Sequence, residues 1–425
     1  MAGKKGQIPG HLKIKKFEHP REDHPVIRIL STVQDFRKPS VFFRHSLTSI
    51  LFMSLVAVIC GAIDWPKVVV MAQGMKEWLS QYVDMSGGIP CERTFKTIFN
   101  SICPKEMEEA LIELSKEIRQ KIEGEIVSFD GQTMKGTADK RNALKGIHLL
   151  HAWSSENNIC LGQLKVGDKS NEITAVPELM ESLDLKGTVI TGDALNTQKT
   201  IASKAIEKDA DYLLPVKENH PLLYEEVKLM FSGLDKEQEK ARNLWERHVE
   251  KAKEDRDHSR LEKLLEKGPS NCKASHFDEE IEKAHGRIEK RSCTAIPAGE
   301  LPSKSNWEKL TSLVRVVRKR VEGDKESEEV CYYISSLKPK AEILCSVARK
   351  HWGVENGLHW RLDVIFRQDK SRYRDRVGAR NLAVIRKMAL HALSKETSIK
   401  GGIATKQCAA CCNSEYRLKV LKKLF

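Results

Sequence analysis

Hydrophobic and polar positions divide this 425-residue chain into helical ends around a mixed strand and helix middle. Near the start, Ile50 to Ile63 is an apolar run broken only by Ser54 and Gly61, and it predicts a buried helix over 45–63. At 14 residues the run is too short to span a bilayer. Lys67 to Val83 has an amphipathic helical period, Gly87-Gly88 breaks the chain, and Pro90 fits the first turn of a helix running to about Phe99. Two helices around a glycine turn can form a helix-turn-helix, although nothing in Thr94 to Lys96 demands a recognition helix.

The middle alternates. Glu125–Phe129, Gly146–Trp153 and Ile159–Val166 read as three strands in hairpin order, followed by a helix over Asn171–Leu183 with Ser170 as its cap. A strand at Thr188–Ile190, a helix at Thr197–Lys208 and a strand at Asp211–Val216 complete the order of a ribonuclease H-like mixed sheet. Leu234–Lys267 is dense in Glu and Lys and predicts one or two solvated helices. Strand-like segments follow at Arg287–Ile296, Leu310–Val317 and Val330–Leu337, and a helix from Ala341 to about Trp360 returns the chain to the sheet. The expected fold class is therefore α/β. Its divisions are a basic flexible arm (1–26), a helical domain (27–122), a first core part (123–218), a β-containing insertion (219–338), a catalytic helix with the end of the core (339–395), and a basic tail (396–425).

Composition sharpens this picture in two places. A hydrophobic fraction of 40% with 31% charged residues describes a soluble globular protein and excludes a disordered one. Of the net charge of +13, a net of +10 falls between Asp363 and the C-terminus, where 15 Lys/Arg face 5 Asp/Glu. A basic C-terminal segment points to a polyanion, most simply nucleic acid. The 11 cysteines have no framework spacing and suit reduced thiols in a cytosol. Cys408-x-x-Cys411-Cys412 is the one cluster, and it reads as part of a surface tail rather than a zinc site. No signal peptide is apparent, so a cytoplasmic, nucleoid-associated protein without membrane partners is expected.

Chemistry enters through three acids. In Ile126-Val127-Ser128-Phe129-Asp130-Gly131 and Thr188-Val189-Ile190-Thr191-Gly192-Asp193-Ala194, a β-branched apolar run ends at an aspartate followed by small residues. Glu355 lies inside the helical pattern of 341–360. Two strand-end aspartates and a helical glutamate facing one sheet edge can hold two Mg²⁺ ions, with Mn²⁺ as a substitute, and cleave phosphodiesters. A rival reading takes His351, Glu355 and His359, four apart, as zinc ligands, but the H-E-x-x-H pattern and its base are missing. Trp352 and Trp360, eight apart, are expected to pack on the sheet. Phosphate or DNA contacts are expected from Lys135, Lys217 and Asn219 beside the strands, and from Arg349, His351, Asn356 and His359 on the helix. The run Arg361, Arg367, Lys370, Arg372 and Arg374 extends this set.

Longer motifs carry a resemblance. In order they are Asp130-Gly131-Gln132-Thr133-Met134-Lys135-Gly136, Lys169-Ser170-Asn171-Glu172-Ile173, Gly192-Asp193-Ala194 and Asp211-Tyr212-Leu213-Leu214. Then follow His285-Gly286-Arg287, Tyr333-Ile334-Ser335-Ser336-Leu337 and the stretch from His351 to Trp360. The series resembles the DDE transposases of bacterial insertion sequences, in the group of the H-repeat-associated proteins. Residues from Ile27 to about Leu114 are similar to the helical domain that precedes the catalytic core there.

The resemblance implies that Asp130, Asp193 and Glu355 form the catalytic and metal-binding triad. It also implies that the substrates are terminal inverted repeats and target DNA, bound by a homodimer or higher oligomer, with cleavage followed by strand transfer. Gln132 and Lys135 stand where Lys and Arg are usual in that group, Gln368 stands where an acid is common, and 234–277 is longer than typical. The alternative is accordingly a catalytically inactive relic acting as a DNA-binding protein.

Overall fold

The computed structural model describes residues 16–38, 40, 43–167, 171–267, 274–283, 287–322 and 325–425. The arm up to residue 15, Ser170 and His285-Gly286 lie outside these. The helical start comprises α1 (Pro25–Ser31), α2 (Leu47–Ile59), α3 (Trp65–Gly74), α4 (Lys76–Ser80), α5 (Glu92–Ser101) and α6 (Pro104–Ile118). Ser46 caps α2 by accepting from the Ser49 N–H at 2.9 Å, and Asp64 caps α3 by accepting from Lys67 N–H at 3.0 Å. Twelve of the thirteen α2 residues are buried, as an apolar run in a folded domain should be. Among the described residues no helix is long and apolar enough to cross a membrane.

One mixed sheet of nine strands follows, ordered β3-β2-β1-β4-β5-β9-β8-β7-β6. Its first half is β1 (Ile126–Met134), β2 (Ile147–Ser154), β3 (Ile159–Lys165), β4 (Val189–Gly192) and β5 (Asp211–Val216). Strands β1, β2 and β3 are antiparallel neighbours, while β1, β4 and β5 run parallel. The two crossovers are α7 (Glu172–Glu181) and α8 (Lys199–Glu207).

The insertion does not form a sheet of its own. After α9 (Pro221–Glu254) and α10 (His258–Lys267), strands β6 (Ser275–Lys283), β7 (Arg287–Pro297), β8 (Ser312–Glu322) and β9 (Lys325–Ser335) extend the core sheet, because β9 pairs antiparallel with β5. Backbone groups at the β5 edge are satisfied by that pairing instead of being left open.

Helix α11 (Ala341–His351) then crosses the sheet. Next, α12 (Arg376–Lys395) packs between β3 and the helices α2, α5 and α6. The expected tail is folded: α13 (Ile403–Cys412) and α14 (Ser414–Leu421) bury Val420, Leu421 and Leu424 against the helical layer. Arg417 fixes this end by donating to the Ala410 and Cys411 carbonyls at 2.9 Å, with its guanidinium 5.1 Å from the Trp78 ring centre. Basic residues do not keep a segment in solvent when its apolar positions can find a core.

Candidate active site

Asp130 is the fifth residue of β1, so the strand does not stop there as its sequence suggested. Pairing with β2 continues from Asp130↔His151 through Met134↔Ile147, whereas pairing with β4 ends at Phe129↔Gly192. Asp130 therefore stands where one neighbour has ended, on the side that β4 leaves open. Asp193 follows the last residue of β4 and caps a 3₁₀ turn, Ala194–Asn196, by accepting from the Asn196 N–H at 3.0 Å. The two aspartates are thus brought together by the ends of parallel pairing, a place where sheets of this type expose chemistry.

Glu355 arrives differently. The helix expected from 341 to about 360 is interrupted after His351, and Glu355 begins a π-helical turn, Glu355–His359, followed by a second, Arg361–Ile365. Such turns shift the side-chain direction relative to an α-helix and are frequent at functional sites. Glu355 is exposed. Gly357 lies flat on Trp153, whose ring would be 2.5 Å from any Cβ added there.

The acids sense one another. Burial, then Glu172, Asp193 and Glu355 push the Asp130 carboxyl up to about 7, against the opposing Gly131 N–H that donates to it at 2.9 Å. Asp193 is raised too, by burial first and by Glu172, with backbone hydrogen bonds from its own turn and the positive charge of Lys217 opposing. Among the described residues no group of three His, Cys, Asp or Glu side chains is close enough to enclose an ion. The donor set is nevertheless hard carboxylate oxygen carrying surplus negative charge, which suits Mg²⁺ or Mn²⁺.

The histidines turn inward. His351 bonds Thr191 Oγ1 at 3.0 Å, and His359 lies 3.5 Å from Asp130 Oδ2 and 3.2 Å from the buried His151. Burial lowers both His351 and His359 to about 4, so each is a neutral imidazole at pH 7. The two rings are engaged by different partners, Thr191 for one and Asp130 with His151 for the other. Trp352 and Trp360 are 50% and 53% exposed; Trp352 still meets the sheet, with Arg318 of β8 lying 5.5 Å from its ring centre, while Trp153 of β2 is fully buried. The glycine spacing Gly353 and Gly357 was the available signal, since both meet Trp153.

Of the expected DNA contacts, Arg367, Lys370, Arg372 and Arg374 are exposed on the loop before α12, with Arg374 3.8 Å from Asp139. Lys217 and Asn219 line a cavity of about 560 Å³ with Asp193, His351 and Trp352. Asn219 also donates to the Ala194 carbonyl at 2.7 Å. Lys135 pairs with Asp369 at 3.1 Å. Arg349 is exposed but pairs with Glu279 of β6 at 2.6 Å, while Asn356 is exposed beside Glu355. Arg361 is half-buried, donating to Ser394 Oγ at 3.1 Å, and so faces α12.

Sequence reasoning gave no role to His148, His151 or Asn196, and met Glu172 only inside a motif. Their link to the site is three-dimensional, since they reach it from β2, from the turn after β4 and from the first turn of α7.

Comparison with known proteins adds the family. Residues 121–391 match the family model described as a transposase DDE domain, and 27–114 match its associated domain. A putative transposase, YncI, of Escherichia coli O157:H7 is 34% identical over 399 residues, covering 92% of this chain and 93% of its own length. An H repeat-associated putative transposase of E. coli K12, YhhI, is 31% identical over 398 residues, or 92% and 96%. A solved piggyBac transposase synaptic complex with hairpin DNA overlaps 95% of this chain at 10% identity and a TM-score of 0.38, which bears on neither fold nor chemistry.

Proposed function

We propose, from the premise that this chain belongs to the DDE-domain transposase family, that it cleaves the ends of its own mobile element and joins them to target DNA. Under this reading β1 to β5 with their helices are a ribonuclease H-like core. The observation that carries the proposal is the placement of Asp130 and Asp193 where the parallel pairing of β1 with β4 ends, with the negative charges of Asp193 and Glu355 acting on Asp130. These three residues would hold two divalent cations, which supply Lewis acidity to the attacked phosphodiester and to the nucleophile.

The chain's own groups do the rest. His359, neutral and bonded to His151, lies 3.5 Å from the Asp130 carboxylate, whose other oxygen accepts from the Gly131 N–H. His351 braces the β4 end through Thr191. Arg367, Lys370, Arg372 and Arg374 offer phosphate contacts that position a duplex without reading its sequence. Lys217 and Asn219 extend that surface past Asp193.

The test is a Glu355→Gln variant with a duplex carrying the inverted repeats that flank the gene. It is expected to bind the duplex as the wild type does and to leave both strands intact in Mg²⁺. Full cleavage by the variant would overturn the assignment.

A second reading is favoured by one specific observation. The Gln368 amide is wholly buried, and neither its oxygen nor its nitrogen has a hydrogen-bond partner among the described residues; Gln132 Oε1 and Asp363 Oδ1 nearby are unpartnered as well. Such groups call for an explanation, and Gln368 stands where an acid is common in the family. In this reading the protein is a DNA-binding relic, and the wild type would bind the duplex and nick nothing.

A further inference from the structure

We propose that Glu172 is a positioning residue of the site, a clamp that sets the spacing between Asp130 and Asp193. This inference rests on the metal-dependent reading above and deepens it.

Glu172 begins α7, and its carboxylate reaches three elements at once. From β2, His148 Nε2 donates to Oε1 at 2.7 Å, and the same ring is bonded through Nδ1 to Thr133 Oγ1 on β1 at 2.8 Å. From the turn capped by Asp193, Asn196 Nδ2 donates to Oε2 at 3.1 Å. Against β1 itself the carboxylate sits so near Gly131 that an added Cβ would be 2.1 Å from Oε1 and 2.6 Å from His148 Nε2. Each oxygen is therefore committed to a different side of the site.

Glu172 links the surroundings of the two aspartates through side chains. Asp130 is followed directly by Gly131, and Asp193 is bonded to the backbone N–H of the residue whose side chain Glu172 holds. Backbone pairing of β1 with β4 ends at Phe129↔Gly192, one residue before each aspartate, so any further tie between the two carboxylates runs through side chains. The clamp supplies it.

Its charge is consistent with that work. Burial pushes the Glu172 carboxyl up, but the hydrogen bonds from His148 and Asn196 outweigh it and hold the group below its ordinary range. His148 is raised in turn, chiefly by the Glu172 hydrogen bond. A charged carboxylate kept between two other acids costs repulsion, which a cation bound by Asp130 and Asp193 would offset. Gly131 is required by this arrangement because any side chain there would displace the carboxylate.

The test measures Mn²⁺ binding by electron paramagnetic resonance on the full chain, for wild type, Asp130→Asn, Glu172→Ala and Glu172→Gln, with thermal denaturation of each as a folding control. Gln can keep the acceptor for Asn196 and turn an amide donor toward a neutral His148. The expected result is a site lost in Asp130→Asn, weakened about tenfold in Glu172→Ala, and largely restored in Glu172→Gln. Equal binding by wild type and Glu172→Ala would overturn the positioning role. Equal loss in the Ala and Gln variants would overturn it too, since it would make Glu172 a direct ligand. Wild type that binds no Mn²⁺ would instead sink the metal-dependent reading beneath it.

Discussion

The two halves of the nine-stranded sheet are hydrogen-bonded into one ladder yet are held in different ways. In the half from β3 to β5, Val127, Phe129, Leu149, Leu150, Ala152, Val189 and Ile190 are buried beneath helices. In the half from β9 to β6 the first six residues of β9 are exposed, and facing positions carry opposite charges. Lys319 pairs with Glu328 and Arg318 with Glu329 at 2.9 Å, and Lys290 with Glu280 at 3.0 Å, each directly across the ladder. Packing fixes the first half throughout; in the second it holds Cys293, Ala295, Val314 and Val316 against α11, and solvent-screened charge pairs the far ends of the strands. The site lies in the half where an added methyl has nowhere to go.

The sharpest way to break this contrast is Gly357→Ala. Its Cβ would meet the fully buried Trp153 ring at 2.5 Å, so the π-helical turn must move and take Glu355 with it. Cleavage of end-containing DNA should fall by about 100-fold with end binding unchanged, because a misplacement of about 1 Å at a catalytic group costs that much. Unaltered cleavage would mean that the inner half has slack after all.

A smaller effect is expected from Asp130→Asn in metal-free buffer. The carboxyl is raised from 3.8 to about 7, so the folded state holds a proton that the unfolded chain releases across that interval. Wild-type stability from this group is therefore present near pH 4, falls as pH rises towards about 7, and is flat above. Compared by Tm, the Asn variant should gain on the wild type at pH 8 and not at pH 4, and saturating Mg²⁺ at pH 8 should narrow the gap. An equal gain at both pH values would show that the buried half does not concentrate charge as the acids suggest.

The smallest effect belongs to the outer half. Lys319→Ala removes one exposed cross-strand pair, and its Tm should stay within about one degree of the wild type. A large drop would erase the distinction between the halves.

Much of the inner half was legible in the chain. The strand read at Asp211–Val216 has those same bounds, the second and third hairpin strands and the strand before Asp193 are displaced by one or two residues, and the first strand runs on to Met134. Short β-branched runs closed by small residues mark buried strands in whatever context they fold. In the outer half β6 was not read at all, because His276-Phe277-Asp278-Glu279-Glu280 has too little apolar alternation to stand out from the charged helix before it. Its strand state comes from pairing with β7, a long-range term that no local pattern carries.

The same division holds at the site. The chain alone singled out the three proposed acids and the basic segment that follows Glu355, since strand-end carboxylates, a helical Glu and a cluster of Arg and Lys are properties of residue type and spacing. Folding decided that Asp130 sits within β1 at the point where β4 ends, that a π-helical turn presents Glu355, and that Trp153 replaces Trp352 and Trp360 as the buried ring. It also decided that Glu172 reaches the residues beside both aspartates, near Gly131 and at Asn196, from another helix. Those outcomes depend on which surfaces meet across long separations in the chain, and contact between distant residues is the one quantity that local sequence pattern does not encode.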